Sequence, residues 1–239
     1  MSRKKSYLTR LPAHAQRRGK ASKGEAEIVT SRHEVKEILA ECAEDLSGSA
    51  LGRNGKRIGI LLEDEVRMIV RDPLRFPTGA TRCQMRIIGK TEYDGPNGVA
   101  VLARLRDRFV LREIYRHPTR TWELETTRGR RETGQTTRQA ARTELKQELG
   151  YKAKRLYRLG TVCPETAILS STIELFLAEL RDGPRRDDPE SSEAFGRIVI
   201  LTRAQLEKRI KAGRIRDSYT LAALLLAELK GLVPSGAAE

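Results

Sequence analysis

The feature that most limits how this chain can fold is a series of short strand-like runs on both sides of one amphipathic helix. Between 136 and 149 the apolar residues Ala140, Ala141, Leu145 and Leu149 recur at helical spacing, and Gly150 stands where a left-handed residue ends a helix. Strand-like runs at 99–105, 108–115 and 122–125 precede it, and runs at 156–162, 171–180 and 197–201 come after it. Two further helices are expected at 202–212 and 218–229, each behind a plausible cap. That order belongs to an α/β sandwich, and no repeat period interrupts it.

The N-terminal third is built differently. A helix capped at Thr30 or Ser31 and running to about 46 places Val35, Ile38, Leu39 and Cys42 on one side. Runs at 58–62 and 66–70 read as a hairpin, Pro73, Pro77 and Gly79 as a loop, and 83–88 as a strand. The turn cluster at 94–98 is the expected boundary between this region and the sandwich.

At 239 residues the chain can bury a sizeable core. Its longest wholly apolar run, 221–227, is far short of the roughly 20 residues a membrane helix needs. No apolar stretch follows Arg3, Lys4 and Lys5, so no secretory signal is read and a cytoplasmic location is expected. Three cysteines and three histidines lie scattered, which argues against a disulfide framework and against a zinc site.

The net charge is +14, and residues 1–24 supply eight of those charges with no acid among them. Such a block reads as a disordered, solvated tail, with a nucleic-acid arm as the functional alternative.

The segment that carries chemistry is 129–151, GRRETGQTTRQAARTELKQELGY. A glycine-containing loop enters a helix whose last turns place Glu144, Gln147 and Glu148 on one face. Two carboxylates and an amide oxygen there suit Mg²⁺ or Mn²⁺, and Arg112, Arg116, Arg128, Arg138 and Arg142 stand near enough in sequence to meet phosphate. Taken alone, such a carboxylate pair reads as a solvated helix face; the spacing of the whole segment gives it a chemical meaning.

That spacing resembles the Nudix box: Gly, five residues, Glu, seven residues, then Arg-Glu-apolar-x-Glu-Glu-x-Gly-apolar. Gly129, Glu144, Leu145, Glu148, Gly150 and Tyr151 fall in register, while Gln135, Thr143 and Gln147 replace the first Glu, the Arg and a paired Glu. The flanks 109–118 (FVLREIYRHP), 122–129 (WELETTRG) and 159–179 are similar to the ADP-ribose and ADP-sugar pyrophosphatase branch. The resemblance implies a Nudix-type α/β/α sandwich with a mixed sheet, plus an N-terminal helix and a small β region. It divides the chain into a tail at 1–24, an N-terminal region at 25–95 that serves dimerisation in that branch, a Nudix domain at 96–231 and a flexible end at 232–239.

The same resemblance implies the site. Glu144, Glu148, the backbone carbonyl of Arg128 and, more weakly, Gln147 would hold Mg²⁺ or Mn²⁺. Arg116 and Arg128 would contact phosphate. Glu193 or Glu190 in the later acidic loop would be the general base, with Glu165 a weaker choice. Gly129, Gln135, Thr143 and Gly150 would shape the box, a Gln135–Thr143 hydrogen bond replacing the family's charged brace. Trp122 is expected in the core, with base stacking as the alternative. The implied activity is hydrolysis of a nucleoside diphosphate linked to another moiety, by a homodimer. The alternatives are a catalytically weak Nudix-fold regulatory protein, or an RNA-binding one that uses residues 1–24.

Overall fold

The computed structural model describes residues 6–45, 57–90, 95–182 and 195–234. They form two compact units, Met1–Asp94 with Glu165–Ser171 and Gly95–Pro164 with Thr172–Glu239.

The C-terminal unit is a seven-stranded mixed sheet covered on both faces. Strands β5 (Gly98–Leu105), β6 (Arg108–Arg116), β7 (Thr121–Glu125), β8 (Thr127–Arg130), β9 (Ala153–Val162), β10 (Ile173–Leu180) and β11 (Phe195–Leu201) run in the order β11-β6-β5-β10-β9, with β7 on β6 and β8 on β5. Only the β5–β10 pairing is parallel. Side chains of β5 alternate between two cores. Val99, Val101 and Ala103 pack with Ala140, Ala141, Leu145 and Leu149 of helix α2 (Thr137–Leu149). Ala100 and Leu102 pack with Leu206 of α3 (Arg203–Lys211) and Ala223, Leu224 and Ala227 of α4 (Ser218–Leu229). A strand apolar on both faces must be covered on both, and the result is the expected α/β/α sandwich.

The N-terminal unit has a four-stranded sheet of β1 (Glu27–Ile28), β2 (Gly59–Glu63), β3 (Arg67–Arg75) and β4 (Thr81–Gly89), with helix α1 (Arg32–Asp45). Val35, Ile38 and Cys42 of α1 pack near Cys83 of β4, so two of the scattered cysteines meet; burial and Cys42 push the Cys83 thiol up to about 12. Pro73, expected in a loop, lies inside β3. It falls between the last β2 partner at Arg71 and the first β1 partner at Leu74, so its missing N–H removes no ladder bond on that edge.

Residues 6–24 are not the expected disordered tail. They make three short 3-10 turns, and Leu8, Leu11 and Ala15 are buried with Met68, Val70 and Ile88. Buried Asp72 accepts from the Tyr7 hydroxyl and from Arg86 Nε at 2.5 Å, while Arg86 Nη1 donates to the Ala15 carbonyl at 2.9 Å. The C-terminal end also differs: Val233 is buried, and Arg104 donates to the Leu232 carbonyl at 3.1 Å. Among the described residues no helix is long and apolar enough to cross a membrane.

Candidate functional site

Helix α2 is set by its ends. Thr136 and Gln139 close a capping box, with Thr136 N donating to Gln139 Oε1 at 2.8 Å and Gln139 N to Thr136 Oγ1 at 3.2 Å. At the other end Gly150 takes φ 72°, and Tyr151 N reaches back to the Leu145 carbonyl at 3.3 Å. With the apolar side on the sheet, Glu144, Gln147 and Glu148 are left half-buried on the flank.

Strand β8 passes directly beneath that flank. A Cβ at Gly129 would overlap the Glu144 carboxylate, and one at Gly98 would lie 2.6 Å from the Gly129 carbonyl oxygen. The two glycines therefore let backbone and carboxylate approach where no larger residue fits. On β8, Gly129 is paired with Val99, which faces α2, whereas Arg128 is paired with Ala100, which faces α3 and α4. The backbone of β8 at Gly129 thus lies beside Glu144, while the Arg128 side chain goes elsewhere.

That side chain joins a buried network at the start of α4. Arg128 pairs with Glu125 at 2.9 Å and with Asp217 at 3.0 Å, its guanidinium 5.1 Å from the centre of the Tyr219 ring. Arg116 pairs with Glu125 at 2.6 Å. Asp217 also caps α4, accepting from Thr220 N at 2.9 Å, and Thr220 Oγ1 accepts from Thr126 N at 2.9 Å. Burial pushes the Tyr219 phenol up. Both arginines expected at phosphate are therefore held by carboxylates.

The remaining expected residues are more widely spread. Gln135 Nε2 donates to Thr143 Oγ1 at 3.4 Å, the neutral brace foreseen for the two substituted positions. Arg112 is buried and donates to the backbone carbonyl of Glu148, where a cation also suits a helix C-terminus. Arg138 and Arg142 donate to the Leu156 and Ala153 carbonyls of β9 at 2.9 and 3.4 Å. Glu165 lies with the N-terminal unit and accepts from Ala167 N at 3.0 Å. Trp122 is not core: it is 57% exposed, edge-on to Tyr115 at 5.8 Å. Glu190 and Glu193 lie outside the described residues.

Among the described residues no three His, Cys, Asp or Glu side chains gather as a metal centre. Of the donors the resemblance implies, Glu144 is the one seated against Gly129; Glu148 and Gln147 share its flank of α2, and the Arg128 carbonyl precedes Gly129 in β8. Such a set fits a hard divalent cation that takes few carboxylates from the protein and the rest of its ligands from phosphate and water.

No family model matches the chain. A crystal structure of an ADP compounds hydrolase aligns with a TM-score of 0.62, covering 74% of this chain and 93% of that one at 21% identity. The fold is of the Nudix type. In sequence, the chain is 27% identical over 136 residues to a methanol dehydrogenase activator of Bacillus methanolicus, 56% of this chain and 74% of the relative. It is 24% identical, with the same coverage, to an ADP-ribose pyrophosphatase of Bacillus subtilis (strain 168). Within the Nudix fold, sequence reasoning missed Asp217 and the α4 anchor of Arg128. No local pattern linked Asp217 to a residue so distant in the chain.

Proposed function

We propose that the C-terminal unit is a divalent-metal-dependent pyrophosphohydrolase acting on a nucleoside diphosphate linked to another moiety, of the ADP-ribose kind. The observation that carries this reading is the seat of the Glu144 carboxylate on Gly129, which follows Arg128 in β8. In this reading Glu144, Glu148, Gln147 and the Arg128 carbonyl hold Mg²⁺ or Mn²⁺. The ion, when bound, supplies charge neutralisation at the pyrophosphate. The buried Arg112 fixes the last turn of α2 through the Glu148 carbonyl, which keeps the two carboxylates in place. Glu193 or Glu190 takes the proton of the water that attacks phosphorus. Arg116 reaches phosphate only by sharing its guanidinium with Glu125, and the side chain of Arg128 is a brace rather than a ligand. The substrate class draws support from the similarity to an ADP-ribose pyrophosphatase and to the fold of an ADP compounds hydrolase. A homodimer through residues 58–90 and a cytoplasmic location belong to the same proposal.

A second reading, a catalytically weak regulatory protein, is favoured by the neutral Gln135–Thr143 brace and by Gln147, which remove charge from the site. Turnover of ADP-ribose with Mg²⁺ and Mn²⁺ separates the two. The hydrolase reading expects turnover by the wild type, and for Glu148→Gln a loss larger than the roughly 10–100-fold that outer-shell changes cost. Activity that appears only in Gln135→Glu/Gln147→Glu would establish the second reading. Equal rates for wild type and Glu148→Gln would remove the metal assignment.

A further inference from the structure

The net charge of +14 is not spread evenly once its partners are assigned. In the N-terminal unit, Arg10 pairs with Glu63 at 3.0 Å, Arg18 with Glu27 at 3.2 Å, and Arg17 with Glu25. The described arginines of the segment that looked like a nucleic-acid arm are thus each paired with a carboxylate of their own unit. In the C-terminal unit, Arg116 and Arg128 are held by Glu125 and Asp217.

Part of the charge left over lies along α2 and the start of β9, while Lys208 and Arg214 stay exposed beside α3. Arg138, Arg142 and Lys146 are exposed on successive turns of α2, each step about 6 Å along the axis. The bonds of Arg138 and Arg142 to β9 carbonyls lay this stripe along β9, and a carbonyl does not cancel a charge. Strand β9 is the edge of the sheet. Exposed Lys152 and Lys154 stand at its start, and Arg181 N bonds the Lys152 carbonyl at 2.9 Å. The acids nearby are already taken, Glu179 by Arg104 and Asp182 by Arg106, both at 3.1 Å. Lys154 lines a cavity of about 250 Å³ with those two pairs, on the side of the sheet where Arg104 meets Leu232, so it meets the α2 stripe at the sheet edge. Among the described residues no ion pair joins these six cations to a carboxylate.

We infer that this edge, formed by the exposed side of α2 and the start of β9, is a track for the phosphodiester backbone of a nucleic-acid strand. From Arg138 to Lys146 alone the stripe spans about 12 Å, more than one phosphate group occupies, and it continues through Lys152, Lys154 and Arg181. A membrane surface fits less well, because such a surface needs large apolar side chains beside the cations. The exposed ones here, including Trp122, Ile200, Leu225 and Leu229, belong to β7, β11 and α4. With no exposed aromatic among the described residues of this edge to stack a base, the track reads backbone rather than sequence, and its affinity falls steeply with salt. Cations also guard an edge strand against pairing with another chain, and a guard role predicts no nucleic-acid affinity at all.

The test is fluorescence anisotropy with a labelled single-stranded RNA and a DNA of the same sequence, over a salt series, using wild type, Lys146→Glu/Lys152→Glu/Lys154→Glu and Arg10→Glu/Arg17→Glu/Arg18→Glu. The track predicts that the first triple variant loses at least tenfold in affinity. Its log–log salt slope should shrink by about 2, at roughly 0.7 for each single-strand phosphate no longer neutralised. The Arg10 triple variant should stay within twofold. Circular dichroism and the thermal unfolding midpoint serve as fold controls, and Lys→Gln at the same three positions gives a milder version should the reversal unfold the protein. Preference for RNA over DNA names the strand. Absence of wild-type binding at low salt, unchanged affinity in the α2–β9 variants, or a drop confined to the Arg10 triple would overturn the inference. None of these outcomes depends on whether the hydrolase reading holds.

Discussion

At the scale of single residues, the candidate site depends on the absence of a side chain at Gly129. Any side chain there meets the Glu144 carboxylate, which is itself fixed by the half-buried flank of α2. Gly129→Ala is expected to cost about 1–3 kcal/mol, the usual range for forcing a methyl into filled space, and to remove most turnover because the carboxylate must move. Urea denaturation and ADP-ribose hydrolysis read the two effects; a variant as stable and active as wild type would show that Glu144 has another seat. The residue scale also explains how the substituted box remains well packed. Gln135 and Thr143 are both neutral and bonded to one another, so neither leaves a buried charge unpaired.

At the scale of elements, the decisive connection runs from β8 to the start of α4. Asp217 does two jobs there, capping the helix through Thr220 N and holding Arg128. Replacing it by Ala should cost about 2 kcal/mol, of which roughly 1 is the cap. Asp217→Asn should recover the cap share and leave the ion-pair share missing, since Asn caps as well as Asp but carries no charge. Denaturation midpoints of the two variants separate the shares, and an Asn variant as stable as wild type would mean that Arg128 relies on Glu125 alone. Strand geometry also explains why Arg128 looked like a phosphate ligand from sequence. Its position beside the box is right, but alternation along β8 turns its side chain toward α4.

At the scale of the whole molecule, the N-terminal unit is closed by its own first residues. The Tyr7 hydroxyl donates to buried Asp72, and burial with that neighbour raises the phenol well above its ordinary value near 10. A group whose folded pKa is raised contributes stability that is fully present below its unfolded pKa and is lost as pH rises beyond it. Unfolding midpoints should therefore fall with pH above about 10, and Tyr7→Phe should flatten that part of the profile while lowering stability at neutral pH. A profile unchanged by Tyr7→Phe would place the alkaline sensitivity in other groups.

The sequence by itself determined the C-terminal sandwich, because periodicity, caps and glycine stops are local signals. The helix at 136–149 and its stop at Gly150 were legible, as was the spacing from Gly129 to Glu144. It also determined that the box had lost three charged or acidic positions, and which pair would bond instead. Other features took shape only in the tertiary structure, since they depend on contacts between distant parts of the chain. Strand β8 reads as a loop until β5 supplies its partner. The first 24 residues read as a solvated tail because no local pattern reveals that Leu8, Leu11 and Ala15 meet Met68, Val70 and Ile88, each more than 50 residues later. The fate of each arginine is the clearest case. Sequence counts a charge but cannot show whether a carboxylate, a carbonyl or solvent will face it, and in this protein that assignment separates the braces at Arg116 and Arg128 from the open cations along α2 and β9.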